Sequence, residues 1–213
     1  MEKKLNHYDV EEVIDVMGIE KIENSTHLDE WLNADGEIKV SYAEILEEGR
    51  QELSLKWDEW NEEELKIKFV SLVFLASQVE EPKKIRTFFE RNLSGKVNDI
   101  IISVTVDCMI ATPKKSGAPE HPYFFLQEFK RSRTDSRDPE GQMLAAMILA
   151  QELNQDGRPL YGCWLQGKNW YFTVLIGAEY SISRQYDATQ KADLLQIVFI
   201  LRKLKELILN RHL

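Results

Sequence analysis

The chain has 213 residues, a formal net charge of −9 and an apolar share of 43%, enough for one sizeable core and too apolar for global disorder. The acidity excludes a surface that adheres to nucleic acid everywhere, but not a local basic groove. No apolar run approaches the roughly 18 residues of a membrane helix, the start Met-Glu-Lys-Lys-Leu-Asn-His lacks the apolar stretch of a signal peptide, and Cys108 and Cys163 give no disulfide framework, so a cytoplasmic protein without membrane association is expected.

Residues 1 to about 60 read as helical and polar. Val10, Val13, Ile14 and Met17 fall on one helical face. Ser25 or Thr26 caps a short helix with Leu28, Trp31 and Leu32, and Asn33 to Gly36 is a turn signal. A longer helix is expected from Ser41 to about Leu55. No site chemistry is visible in this segment, which reads as a packing extension or a partner surface.

Asn61 to Val79 reads as the next helix, with Asn61 as N-cap and Glu62, Glu63 and Glu64 in the positive first turn. The glutamates serve the helix dipole first, and one of them could reach a metal. The period then changes. Arg86 to Leu93 reads as a strand, Ser94 to Asp99 as a turn, and Ile101 to Ile110 and Tyr123 to Lys130 as two more strands of an antiparallel meander. Asp138-Pro139 opens a helix carrying Gln142, Ala145, Ala146 and Leu149. Leu160 to Leu165 and Trp170 to Ile176 form a hairpin, whose Trp164, Trp170 and Tyr171 suit a core better than a base-stacking platform. A last helix, Thr189 to Leu209, has a wide apolar face; core packing is its default use and a homodimer seam the alternative.

Candidate chemistry gathers on the two central strands. Period-two alternation puts Glu128 and Lys130 on one face, opposite Phe125, Gln127 and Phe129. It puts Asp107 with Ser103, Thr105 and Met109, opposite Val104, Val106, Cys108 and Ile110. If the strands are neighbours, Asp107 approaches Glu128 and Lys130. Two carboxylates and an ammonium suit a hard cation and metal-assisted phosphodiester hydrolysis. Lys114, Lys115, Lys130, Arg131, Arg133 and Arg137 form a basic run beside this point, available for phosphates. Glu-x-Lys occurs five times in the chain, so the tripeptide alone carries no signal. The strand context, the upstream aspartate and the downstream glutamine single out Glu128-Phe129-Lys130. The histidines, His7, His27, His121 and His212, show no zinc spacing, and there is no Gly-rich phosphate loop.

Helix, three strands, helix, strand, with Asp107 in the second strand and Glu128-Phe129-Lys130 ending the third, resembles the PD-(D/E)XK nuclease superfamily over about Asn61 to Ile182. Val106 stands where the signature proline precedes the aspartate. The resemblance implies a mixed α/β (α+β), restriction-endonuclease-like αβββαβ core, a central mixed sheet flanked by helices. It divides the chain into an N-terminal helical extension, 1–60, and a nuclease-like domain, 61–213, that ends in a C-terminal helix. It implies a magnesium-dependent phosphodiesterase acting on nucleic acid, DNA by preference, with Asp107, Glu128, Lys130 and Gln142 catalytic. Mg²⁺ or Mn²⁺ would be held by Asp107, Glu128 and the Phe129 carbonyl, and Lys114, Lys115, Arg131 and Arg133 would meet phosphates. Glu64 is a further candidate acid, and Asp99 replaces Asp107 in a shifted register. The alternative function is a catalytically inactive fold of this kind, serving as a protein-interaction or nucleic-acid-binding module.

Overall fold

The computed structural model describes residues 3–4, 8–130 and 138–210. The elements are β1 (Lys3–Lys4), α1 (Val10–Met17), β2 (Glu20–Lys21), α2 (Thr26–Leu32), α3 (Val40–Lys56) and α4 (Glu62–Leu65). A π-helical turn (Lys66–Val70) then leads into α5 (Ser71–Ser77), β3 (Arg86–Val97), β4 (Ile100–Pro113), β5 (Pro119–Lys130) and α6 (Pro139–Asn154). The chain finishes with β6 (Leu160–Gln166), β7 (Asn169–Ile176), β8 (Glu179–Ile182), β9 (Tyr186–Asp187) and α7 (Lys191–Asn210). This is a mixed α/β fold with a central sheet and flanking helices. Among the described residues no helix is long and apolar enough to cross a membrane.

Among the described residues nine strands form one sheet in the order β1-β4-β5-β6-β7-β8-β2, with β3 on β4 and β9 on β7. β3, β4 and β5 pair antiparallel, β5 and β6 run parallel with α6 between them, and β7 returns antiparallel. One core lies under α2, α3, α5 and α7. The other lies under α1 and α6. Two faces of one sheet are thus each covered by helices.

The first sixty residues do not stand apart as an extension. β1 and β2 join the sheet beside β4 and β8. Trp31 of α2 is fully buried, its ring edge-on to Phe125, Tyr161 and Phe172 with centroids 6.2, 4.9 and 5.2 Å away. Its indole N–H donates to the Ile200 carbonyl of α7 at 2.8 Å. Two-residue strands leave no period-two trace in a sequence, so this integration was not visible there. The apolar face of α7 is buried in the same core, through Leu194, Ile197, Leu201, Leu204 and Ile208. That face is therefore not a seam for a second copy.

Several boundaries differ from expectation for definable reasons. Ser94 to Val97 stay in β3, and the turn shrinks to Asn98 and Asp99, both left-handed at φ 46° and 67°, as a two-residue hairpin requires. The helix expected from Asn61 to Val79 keeps its cap but contains the π turn at its centre. Such turns add one residue and re-aim side chains.

The fold makes Trp31 a keystone of the first core. Trp31→Ala should lower unfolding free energy by about 3–5 kcal/mol. Urea denaturation checks this, and a loss below about 1 kcal/mol would mean that α2 is only loosely docked.

Candidate functional site

β4 and β5 part in the middle of the sheet. Their ladder runs from Pro113↔Pro119 to Cys108↔Gln127 and then stops. β5 stays with β6 as far as Lys130↔Gln166. β4 continues with β3, and β1 meets it only at Ile100 and Ile101. Among the described residues no strand pairs with this edge of β4 between Ile101 and Cys108.

Asp107 stands at the fork. Its Oδ2 accepts the Phe129 N–H at 2.8 Å, so a side chain replaces the missing ladder bond. The side-chain alternation expected for β4 does not hold here. Ile102, Val104 and Val106 share a core with Met109 and Ala111, while Cys108 and Ile110 enter the other. β3 slips in step: Leu93 and Val97 share that core with Phe88, and Glu90 is left-handed at φ 50°. The β3–β4 register is the same on both sides of the slip, Phe89↔Cys108 and Arg91↔Val106. Both strands therefore bend together at Glu90 and Asp107. The bend turns the aspartate out of the pleat and into the fork.

Glu128 and Lys130 follow on β5, opposite the buried Phe129 ring. Gln142 comes from the first turns of α6, whose N-cap is Asp138 with Pro139 at the first helical position. Asp138 also ties the chain's beginning to the site. Its Oδ1 accepts from Glu140 N–H and its Oδ2 from Val10 N–H at 2.8 Å. Gly141 is needed at this contact, because a Cβ there would sit 1.9 Å from the Tyr8 carbonyl oxygen. Tyr8 is thereby held against the open edge of β4, where its hydroxyl donates to Ser103 O at 2.8 Å and accepts from Ser103 N–H at 3.1 Å.

The result is a cleft of about 300 Å³, lined by Tyr8, Glu62, Glu90, Asp107, Glu128, Lys130 and Gln142 among others. Asp107, Glu128, Lys130 and Gln142, distant in sequence, meet in it. Asp107 is 7%, Glu128 2% and Lys130 6% exposed, so solvent screens their charges weakly. Burial pushes the Glu128 carboxyl well above the usual range, and the Asp107 charge and a hydrogen bond to Asp107 add to this against the pull of Lys130. Among the described residues, Glu128 Oε1 and Gln142 Oε1 are buried without hydrogen-bond partners.

Other candidates lie elsewhere. Glu64 is not in the cleft; its carboxylate closes the capping box by accepting from Asn61 N–H at 2.9 Å, and it pairs with Lys68. Asp99 sits in the β3–β4 turn, paired with Lys96 at 2.7 Å. Eight residues of strand at about 3.3 Å each put it some 26 Å from Asp107, so it cannot take that residue's place. Lys114 and Lys115 are in the β4–β5 loop, at the far end of the hairpin, and line a separate depression with Lys83 and Arg86. Arg131, Arg133 and Arg137 lie outside the described residues. Trp170 is fully buried, whereas Trp164 and Tyr171 stack on each other across β6 and β7 at 3.9 Å.

Three contributors carried no clear sequence signal, Tyr8, Lys66 and Glu90, while Glu62 is one of the three first-turn glutamates of which one was expected to reach a metal. Lys66 Nζ reaches Asp107 Oδ1 at 3.3 Å and Glu62 Oε1 at 3.1 Å, and Glu62 Oε2 is 3.7 Å from Lys130 Nζ. The glutamate of the first helical turn that faces the cleft is thus Glu62. A Glu62-x-x-x-Lys66 spacing was the available hint, but it reads equally as a solvated helix pair.

Among the described residues no three His, Cys, Asp or Glu side chains form a cluster able to hold a metal. The donors on hand are two carboxylates, Asp107 and Glu128, and the Phe129 carbonyl, which shares a side of β5 with the N–H bound to Asp107. Oxygen donors of this number fit a Mg²⁺-type ion that keeps several waters, and the unpartnered Glu128 Oε1 is an acceptor open to it. No protein-family model matches the chain, and no curated protein matches it.

Glu128 makes the cleft's state legible in stability. Below about pH 4.5 the carboxyl is neutral whether the chain is folded or unfolded. Above that, the unfolded chain releases the proton and the folded chain keeps it, so stability falls as pH rises, until the folded carboxyl itself titrates. Glu128→Gln keeps a donor for Asp107 and removes the penalty. In chelator, its stability relative to wild type should improve by about 1.4 kcal/mol per pH unit within that window. Denaturation at pH 4.5 and near neutrality checks this; an unchanged difference would show that Glu128 is ionised throughout.

Proposed function

We propose that this chain is a divalent-metal-dependent hydrolase of nucleic-acid phosphodiester bonds, DNA by preference, with a restriction-endonuclease-like core of the PD-(D/E)XK kind. One observation carries the reading: Asp107, Glu128, Lys130 and Gln142, from β4, β5 and α6, line a single cleft at the parting of two strands. The order from α4 to β6, helix, three strands, helix, strand, in a mixed sheet, supports the fold assignment. Two buried free cysteines suit a cytoplasmic setting.

Asp107, Glu128 and the Phe129 carbonyl would hold Mg²⁺ or Mn²⁺. When bound, the ion supplies an acidified water and charge stabilisation at the phosphorus. Lys130 is a buried ammonium facing the cleft and can donate only. It orients the attacking water and stabilises its hydroxide form. Gln142, whose amide oxygen points free into the interior, fixes that water from the α6 side. Asp107 is held rigid by the Phe129 N–H, so its remaining lone pairs keep one direction.

A second reading is a non-catalytic module that keeps the fold. It is favoured by the engagement of both Asp107 oxygens, one by Lys66 and the other by Phe129 N–H.

With Mg²⁺ or Mn²⁺ the purified protein should cut DNA, chelator should abolish cutting, and Lys130→Ala should reduce it by about 10²–10⁴-fold. Cutting that survives chelator or Lys130→Ala removes the hydrolytic reading. Metal-independent binding of single- or double-stranded DNA without cutting would favour the module.

A further inference from the structure

Lys66 is surrounded by carboxylates. Its Nζ lies 2.7 Å from Glu90 Oε1, 3.1 Å from Glu62 Oε1, 3.2 Å from Glu63 Oε1 and 3.3 Å from Asp107 Oδ1. These acids come from α4, β3 and β4. The Lys66 side chain is 10% exposed, and its Nζ stands 5.4 Å from the centre of the Phe129 ring. Burial would pull the ammonium's pKa down. The hydrogen bond to Glu90 and the charges of Asp107 and Glu62 outweigh burial and hold it above its ordinary value.

Two backbone irregularities accompany this arrangement. The π turn begins at Lys66, and Glu90 adopts a left-handed conformation that an ordinary strand residue avoids. Both carry a local cost.

An ammonium in an oxygen cage neutralises the surrounding acids as a hard cation does, while remaining tethered. We infer that Lys66 is a built-in cation that takes the place of a second divalent ion at Asp107, so that the cleft accepts a single divalent ion, on the Glu128 side. This rests on the hydrolytic reading above. Asp107 contributes one of four anionic contacts to Lys66 and the longest of them, so the ammonium keeps three partners when an incoming ion takes a free lone pair of Asp107. The acceptors without partners, Glu128 Oε1 and Gln142 Oε1, belong to β5 and α6, not to the α4 and β3 elements that enclose Lys66. A doubly charged ion beside Lys66 would face its ammonium at contact distance, on the side where the Lys66 and Asp107 side chains are each 10% exposed and screening is weak.

The test is the number of Mn²⁺ ions bound per chain, read by calorimetry and by the loss of free-ion paramagnetic resonance signal. Wild type and Lys66→Arg should bind one. Lys66→Met should bind two, because Glu62, Glu63, Glu90 and Asp107, which form no metal-holding group while the ammonium stands among them, then lose their shared cation, and Asp107→Ala should lose the wild-type ion. Two ions in wild type, or one in both wild type and Lys66→Met, overturns the inference and leaves the hydrolytic reading in place. An ion bound by Lys66→Met and none by wild type overturns it too, by making Lys66 a plug in the sole site. No ion in either removes the inference and the hydrolytic reading together. Circular dichroism establishes that each variant is folded. If Lys66→Met does not fold, Lys66→Met/Glu90→Gln restores the balance of charge and should still bind a second ion through Glu62, Glu63 and Asp107, one ion overturning the inference.

Discussion

The hydrogen bond from the Phe129 amide to the Asp107 carboxylate is the hinge of the structure. A sheet cannot part in its middle without leaving backbone donors and acceptors unpaired in the interior. Here a side chain supplies the missing acceptor. The same contact does three things. It lets β4 and β5 diverge, it fixes the direction of the aspartate, and it brings β5's glutamate and lysine to that aspartate. The surroundings follow from the fork. α4 and the π turn close one layer and α6 the other, while the start of the chain lies along the exposed edge of β4 through Tyr8.

The electrostatics are those of a cluster short of positive charge. Glu62, Glu63, Glu90, Asp107 and Glu128 gather around two ammoniums, Lys66 and Lys130. Burial pushes the Glu128 carboxyl well above its usual range, which favours its neutral form, and the Lys66 ammonium pairs with four carboxylates. A buried group in either condition costs stability unless it is used. That concentration, rather than the chain's overall acidity, distinguishes the cleft from the rest of the surface.

Much of this was legible in the sequence, and the reasons are local. Asn61 and Asp138-Pro139 are strong start signals, and the helices begin there. The apolar alternation of β5 located Glu128 and Lys130 on one face. Legibility failed where structure is not periodic. A paired slip in two strands leaves no mark on either strand's composition, so the orientation of Met109, Cys108 and Ile110 was misread. A π turn changes the phase of a helix by one residue, so the helical period expected from Asn61 to Val79 does not run through Lys66–Val70. The loop lysines, Lys114 and Lys115, were placed near the site by closeness in sequence, but the length of the hairpin carries them away. β1 and β2 are too short to read, so the N-terminal segment seemed separable.

Glu90 illustrates a tension within one position. Its left-handed backbone would be more comfortable with glycine or asparagine. Either replacement would relieve strain in β3 while withdrawing the shortest ionic partner of Lys66. Thermal robustness and the charge balance of the cleft thus pull this one residue in opposite directions, and screening variants for heat resistance alone would select against the carboxylate.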